Sequence, residues 1–556
     1  MSLIGKKWVI KNERREEELL DVLLHNRDIK TDESRRIFFE GNLSLVHDPF
    51  LLPDMTQAVE RIKRALKDGE KIMIFGDYDI DGLTGTALLY DFLKKSGGNV
   101  SYTLPHREDD GYGLKEYFVE RFAQEGIKLL VTVDCGTSNV KEIERANALG
   151  LDVIVTDHHS IPPELPSAYA IINPHRADSK YPFKDICGST IAYKLIMALS
   201  HDLLPESERK SYLMRQLSVV TLGVIGDCMP LVDENRVLVK YGLMSLREGH
   251  NPGLVALLES VELDLKKVTS FTIGFQIGPR LNAAGRLDKP DHALELILGN
   301  LDKAKVLNQL NGLRKEMVKD FIEEAVTALE DLKELPPILV VYSPHWKAGL
   351  IGLIAAHLSE TYGRPAIAMQ ERKEEFVASC RSAGDFDLTS FLRNTVGDLC
   401  LTLGGHKMAG GFTLPKKNFA AFLKKIKSAG KKALKVKELQ GVLAIDCEVK
   451  SQELDLATCA HLEKLQPFGA GNPEPTFLIK NARILNLRPV GKNGEHLQFP
   501  VEHAGRMHQA IAFRLGKHAA KIDPNARYDI AFTMEVNEWN GNSKLQLKVV
   551  DIKPSK

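Results

Sequence analysis

The sequence predicts a multidomain α/β chain: a parallel-sheet domain, a long connecting helix, a smaller α/β domain and a C-terminal β-barrel. Three observations predict it. Short apolar runs alternate with helical patterns in two separate stretches, 71–172 and 337–430. One uninterrupted helical pattern lies between them. After residue 440 the texture becomes alternating β with frequent turns. The length of 556 residues agrees, since at ~150 residues per domain it implies three or four domains.

Residues 1–50 read as an N-terminal helical segment. Met55–Leu66 then sets Ala58, Val59, Ile62, Ala65 and Leu66 on one helical face, with Gly69 as its stop. From Lys71 the apolar runs Lys71–Phe75, Val100–Leu104, Ile127–Val133, Asp152–Thr156 and Tyr169–Ile172 alternate with helical patterns such as Thr84–Lys95 and Val140–Leu149. Continuously apolar strands separated by helices indicate βαβ units and a parallel sheet covered on both faces, within a domain bounded at 51–299.

Asn300–Leu335 predicts one helix, with Asn300 as N-cap, Asp302 in the first turn and Pro336-Pro337 as the stop. Its apolar stripe is Leu307, Leu310, Leu313, Met317, Phe321, Ala325 and Leu329. At ~1.5 Å per residue it would span roughly 50 Å, which makes 300–336 an interdomain connector or a long surface helix. A second α/β unit follows at 337–438, with strands Pro337–Tyr342 and Ala366–Met369 around the helix Leu350–Tyr362, then a glycine-rich turn at 404–411.

Residues 415–437 hold nine lysines and no acidic residue. They suit either the solvated face of an amphipathic helix or a polyanion partner. The last unit, 439–556, carries five short strands: Val442–Val449, Thr476–Leu485, His508–Phe513, Arg527–Glu535 and Lys544–Val550. That number fits a small barrel such as an OB fold.

Composition narrows the function classes. Lys plus Arg and Asp plus Glu are both 74, so any anion-binding surface must be local. The seven cysteines are scattered without a C-x-x-C pair, which argues against a disulfide framework or a cysteine-rich zinc site. Residues 1–11 turn charged at once, unlike a secretory signal, and no run approaches the ~18 apolar residues that span a bilayer. The expectation is a soluble cytoplasmic protein with no membrane association.

The most informative segment is Asp77-Tyr-Asp79-Ile-Asp81-Gly82, after an apolar strand. Three carboxylates at i, i+2 and i+4 share one side of an extended backbone. They would repel one another without a cation, and oxygen ligands at this density suit Mg²⁺ or Mn²⁺. An EF-hand also begins D-x-D-x-D-G, but its twelfth position here is Leu88 where a bidentate Glu is needed. Asp134, the Asp157-His158-His159 triplet and Asp227 also follow apolar segments, where open parallel sheets form sites. Oxygen donors mixed with imidazole point to a dinuclear site for in-line displacement at phosphorus.

GDYDIDG, VDCG, DHH and GDCMPL, in this order, resemble the DHH phosphoesterase superfamily. GPRLNAAGR at 278–286, Ser379-Cys380-Arg381-Ser382, GGHKMAGG at 404–411 and QPFGAGNPEP from Gln466 extend the resemblance to the RecJ family of single-strand-specific DNA exonucleases, over about residues 40–550. The resemblance implies a DHH domain, a connecting helix, a DHHA1 domain and an OB-fold domain. It implies 5′→3′ hydrolysis of single-stranded DNA to mononucleotides with Mn²⁺ or Mg²⁺, in DNA repair and recombination. It implies a monomer, working with a helicase and a single-strand-binding protein.

By motif, Asp79 would bind one ion and Asp81 the other, with Asp134 bridging. His158 and Asp227 would complete the ligands of the second ion. Asp77 and His159 would be near-site members, and Asp157 would orient an imidazole. Arg107, Arg280 and Asn282 would meet the substrate, and Ser379, Arg381 and His406 would hold its terminal phosphate. Cys187-Gly188-Ser189-Thr190 departs from the family pattern, which has small residues in place of Ser189 and Thr190.

A DHH phosphodiesterase of short oligonucleotides or cyclic dinucleotides is the alternative, although such an enzyme would ordinarily lack the barrel. A family II inorganic pyrophosphatase would carry His where this sequence has Phe75. A non-catalytic replication scaffold would have lost metal carboxylates, and none is lost here.

Overall fold

The computed structural model describes residues 2–13, 17–434, 441–539 and 542–555. The apolar run Lys71–Gly76 becomes an inner strand of a five-stranded parallel sheet, ordered Asn99–Thr103, Lys71–Gly76, Leu129–Val133, Asp152–Thr156, Ala170–Ile172. The chain leaves the first strand in one direction and returns across it to the third. That reversal opens a crevice at the carboxyl ends of Lys71–Gly76 and Leu129–Val133. The strands are apolar throughout because both faces are covered. Ile72, Ile74, Val131 and Ile154 join the core that also contains Leu83, Ile191 and Val220 of helices Ile80–Lys95, Gly188–Leu203 and Glu206–Gly226. Met73, Phe75, Leu130 and Val153 join a second core with Phe118, Phe122 and Ile143 of helices Glu116–Gln124 and Val140–Ala148.

The connecting helix runs Lys303–Glu330, shorter at both ends than predicted. Asn300 does not cap it: its side-chain amide donates to Glu295 Oε2 at 3.1 Å and closes the preceding turn. Past Glu330, Arg364 donates to the carbonyls of Leu335 and Pro336 and draws the chain onto the next domain. The apolar stripe is two separate anchors. Ala304 and Leu307 enter the first domain's core, Ala325 and Leu329 the second's, and Leu313 between them is 48% exposed.

The second domain is a five-stranded sheet ordered Thr402–His406, Ala409–Pro415, Glu375–Arg381, Ala366–Glu371, Leu339–Ser343, in which only the last pair is parallel. The segment expected as a glycine-rich turn is a hairpin in which Gly404 and Gly405 face Gly411 and Gly410. In the lysine-rich stretch, helix Phe419–Ala433 buries Phe422 and Ile426, while Lys416 pairs with Glu371 and Lys425 with Asp398. Acids from other elements thus neutralise part of the run; Lys435 and Lys437 lie outside the described residues.

Five strands close the C-terminal barrel: Phe477–Ile484, His496–His503, Arg506–Ala512, Asn542–Pro554 and Arg527–Trp539. The predicted strand Val442–Val449 is two pieces. Cys447–Glu448 joins the barrel, and Val442–Ile445 pairs in parallel with Lys7–Ile10. The N-terminal segment is therefore not purely helical. It opens with a strand, and helix Leu19–His25 buries Leu19, Val22, Leu23 and Leu24 in the barrel core. A four-residue strand carries almost no periodic signal, and its partner is remote in sequence. Among the described residues, no helix is long and apolar enough to cross a membrane.

Candidate metal centre

Where the strand Lys71–Gly76 ends, Asp77 is held at the crevice by its own N–H, which donates to Val133 O at 3.2 Å. The backbone then turns into a helix rather than remaining extended. Asp79 is the N-cap of Ile80–Lys95, and its Oδ1 accepts the N–H groups of Asp81 (2.9 Å) and Gly82 (3.2 Å). Asp81 consequently lies in the first helical turn, and the triplet divides. Asp77 and Asp79 gather with Asp134, whereas Asp81 gathers with His158 and Asp227; in each group the ligand atoms lie within 4.8 Å of one another.

Asp81 is fixed from behind. Its two oxygens accept the N–H groups of Gly188 (2.6 Å) and Ser189 (2.9 Å), at the start of helix Gly188–Leu203. Two glycines make room for it. A Cβ on Gly188 would lie 2.7 Å from Asp134 Cβ and 2.9 Å from Asp81 Oδ2, and one on Gly223 would lie 2.7 Å from Asp81 Oδ1. The departure at Ser189 and Thr190 is absorbed locally, because both hydroxyls turn to Cys187 Sγ, at 3.1 and 3.5 Å.

Asp134 follows strand Leu129–Val133 in the left-handed region, at φ 61°, which Asp tolerates better than most residues. Its Oδ1 is 3.0 Å from His158 Nε2, which is also 3.6 Å from Asp227 Oδ2 and 3.8 Å from Asp81 Oδ2. Burial pushes the His158 imidazole down, toward the neutral form that can ligate a metal. Asp157 sits beneath. Its Oδ1 accepts the backbone N–H of His158 (2.8 Å) and lies 2.8 Å from His159 Nδ1, and its Oδ2 accepts the Thr137 N–H (3.0 Å). Burial alone would raise the Asp157 carboxyl, but the His159 and Thr137 bonds hold it below the usual range. Burial opposes charging His159, and Asp157 overcomes it, lifting the imidazole to about 9.

The other carboxylates are crowded. Burial and the charge of Asp79 raise Asp77, burial and the charges of Asp81 and Asp79 raise Asp134, and the same causes push Asp227 up to about 8. Asp77 Oδ1 and Asp227 Oδ2 are buried without a hydrogen-bond partner among the described residues. Desolvated, mutually repelling carboxylates with orphaned oxygens, beside a neutral imidazole, fit divalent cations of the Mg²⁺ and Mn²⁺ type.

Arginines from one loop, two helices and one strand gather at the crevice. Arg107 stacks over the Tyr78 ring at 4.4 Å. Arg381, on strand Glu375–Arg381 of the second domain, donates to Cys380 O (2.8 Å) and weakly to Ser379 Oγ (3.4 Å). Arg286 is half-buried and donates to Gly349 O at 2.7 Å; desolvation, then the charges of Arg107, Arg314 and Arg381, push it down to about 9. Arg286 and Arg314 were not predicted. Arg286 lies within the quoted 278–286 motif, whereas Arg314 sits mid-connector with no local signal.

Arg280 is tied to Asn308 Oδ1 (2.8 Å) and Gln276 O (2.5 Å). Asn282, expected at the substrate, accepts the Ile80 N–H through its Oδ1 (3.0 Å) and lines the same cavity as Arg286 and Arg314. His406 stands exposed at the end of its strand. Its carbonyl accepts the Thr389 hydroxyl at 2.5 Å, and no side-chain bond joins it to the arginines among the described residues.

Residues 71–224 match the DHH family N-terminal domain, 335–432 the DHHA1 domain and 445–551 the RecJ OB domain. The single-stranded-DNA-specific exonuclease RecJ of Bacillus subtilis (strain 168) is 34% identical over 96% of this chain and 67% of its own length. RecJ of Haemophilus influenzae is 34% identical over 96% of both chains. The crystal structure of RecJ from Thermus thermophilus with Mn²⁺ superimposes with a TM-score of 0.83 at 26% identity, over 99% of this chain and 80% of that one. Its Mg²⁺ complex gives 0.76 at 25% identity, over 99% and 79%.

Proposed function

The chain belongs to the RecJ family of single-stranded-DNA-specific exonucleases, and from that membership we propose that it removes mononucleotides from the 5′ end of single-stranded DNA with two divalent ions. It is a metal-dependent hydrolase of the DHH type. One observation carries the finer reading: two ligand groups meet at Asp134 and His158, and arginines drawn from both domains and the helix between them repel one another within reach of Asp79.

Asp77 and Asp79 would hold one ion, Asp81, His158 and Asp227 the other, with Asp134 between them. Bound divalent ions would supply Lewis-acid stabilisation of the phosphoryl oxygens and a more acidic attacking water. The chain's own groups do the remainder. The paired N–H groups on Asp81 stop its carboxylate from rotating. Asp157 keeps a proton on His159 Nδ1, so the imidazole can face a phosphate oxygen as a cation. A phosphate between Arg107, Arg286, Arg314 and Arg381 would relieve their repulsion, and Arg presents a planar fork to such oxygens. Ser379 beside Arg381 would add a hydroxyl for the terminal phosphate.

This reading places the enzyme in DNA repair and recombination, fed by a helicase and a single-strand-binding protein. Digestion of 5′-labelled and 3′-labelled oligonucleotides, single-stranded and blunt duplex, tests it. Expected is early release of the 5′ label as a mononucleotide from single strands, absent in EDTA and restored by Mn²⁺. First release from the 3′ end, or duplex digested equally fast, overturns the polarity and the strand selection. Calorimetric titration with Mn²⁺ should give two sites in the wild type and fewer in Asp134→Asn.

A further inference from the structure

We infer that Phe271 and Phe275 form a base-stacking platform that carries the strand from the catalytic crevice to the barrel, with its bases against this wall and its phosphates against the arginines. The inference rests on the single-strand exonuclease reading and adds to it the face of the nucleic acid that is presented. The two rings are 57% and 70% exposed, yet they stack on each other at 4.6 Å with an interplanar angle of 25°. Large apolar side chains left in water as a pair mark a contact surface.

Their four-residue spacing puts both rings on one side of the helical turn, while Ile273 and Ile277 of the π-helical segment Ile273–Ile277 are buried beneath. Such π turns recur at functional sites. The pair lines a cavity of about 740 Å³. The same cavity is lined by Ile225 and Gly226, immediately ahead of Asp227, and by Lys548 of the barrel. Lys548 Nζ lies 5.9 Å over the Phe271 ring and 6.0 Å over Phe513, an exposed aromatic on the barrel. An aromatic and cationic line therefore joins the two units.

The walls differ in charge. Arg286 and Arg314 border the cavity, whereas Glu474 stands on the barrel side with Lys548, and Glu535 is close to both. Carboxylates repel phosphates but tolerate bases, and a phenylalanine ring offers nothing except stacking. The sugar–phosphate backbone thus belongs on the arginine side and the bases on the phenylalanine side. Stacking on plain rings is tolerant of sequence.

The test is binding of the full-length protein in EDTA to a fluorescent strand of roughly 20 nucleotides, and to an abasic strand of equal length. Phe271→Ala with Phe275→Ala should raise Kd about 10- to 100-fold on the normal strand. Both proteins should bind the abasic strand equally, and Phe275→Trp should retain the wild-type Kd. Unchanged binding by the double variant, or equal loss on both strands, overturns the inference. If the wild type neither binds nor digests single strands, the exonuclease reading itself falls; if it digests normally while the variants match it, only the platform falls.

Discussion

Asp157 acts on the candidate metal centre through the charge it keeps on His159. The His159 pKa is raised from its ordinary 6.5 to about 9, so that side's stabilisation is complete below ~6.5 and lost as pH rises through about 9. The Asp157 pKa is depressed below its ordinary 3.8, so its own share is present above that value and lost as pH falls. For the metal-free protein, Asp157→Asn should lower Tm most between pH ~5 and ~6.5, with the difference shrinking toward pH 9. Thermal scans across pH check this, and a pH-independent difference would mean the pair is not ionic. Asp77, Asp134 and His158 were legible in the sequence because each follows the end of an apolar strand of one sheet, and Asp79 and Asp81 because they complete a triplet with Asp77; Asp227, expected after a strand, instead ends helix Glu206–Gly226. The bond between Asn282 and the Ile80 N–H and the place of Arg314 beside Arg286 were not legible, since those partners are supplied only by the folded chain.

At the scale of elements, the start of helix Gly188–Leu203 is a packing constraint on chemistry. Gly188→Ala would push a methyl group against Asp134 and Asp81 together. Expected is a rise of about 10- to 100-fold in the Mn²⁺ needed for half-maximal activity, with circular dichroism unchanged. Activity titrations in Mn²⁺ decide it, and an unaltered requirement would mean that the helix yields. The connecting helix offers the opposite case. Gly312 is exposed in its interior, and a Cβ there meets nothing within 4 Å. Gly312→Ala should stabilise by about 1 kcal/mol without altering kcat; a higher Tm with a lower kcat would show that the reaction uses a bend at this point. Apolar runs made the parallel strands readable, since burial on both faces leaves an unbroken signal. His496–His503 was missed because Pro500 sits inside it, and a proline argues against a central strand. The hairpin at 402–415 was missed because paired glycines read as a turn.

For the whole molecule, the boundaries drawn along the sequence differ from the bodies that fold together. Lys7–Ile10 and Leu19–His25 belong physically with the C-terminal unit, through Val442–Ile445 and the barrel core. Deleting residues 441–555 alone should therefore give an aggregating protein, because Leu19, Val22, Leu23 and Leu24 lose their cover. Removing residues 2–26 as well should restore a soluble protein that still cleaves short oligonucleotides. Size-exclusion chromatography of the two truncations distinguishes these outcomes, and a monodisperse single deletion would contradict the prediction.

The pairing of Lys7–Ile10 with Val442–Ile445 also has a consequence for synthesis on the ribosome. The amphipathic helix Leu19–His25 emerges first, but the barrel that covers it closes only with Asn542–Pro554. At ~5–20 residues per second that wait is roughly half a minute to two minutes. Throughout it the nascent chain displays a sticky apolar stretch, while the catalytic domain folds beside it. Yield in the cell should then depend on holdase chaperones that shield the leading segment, and on the speed of translation, more than on the stability of the finished enzyme.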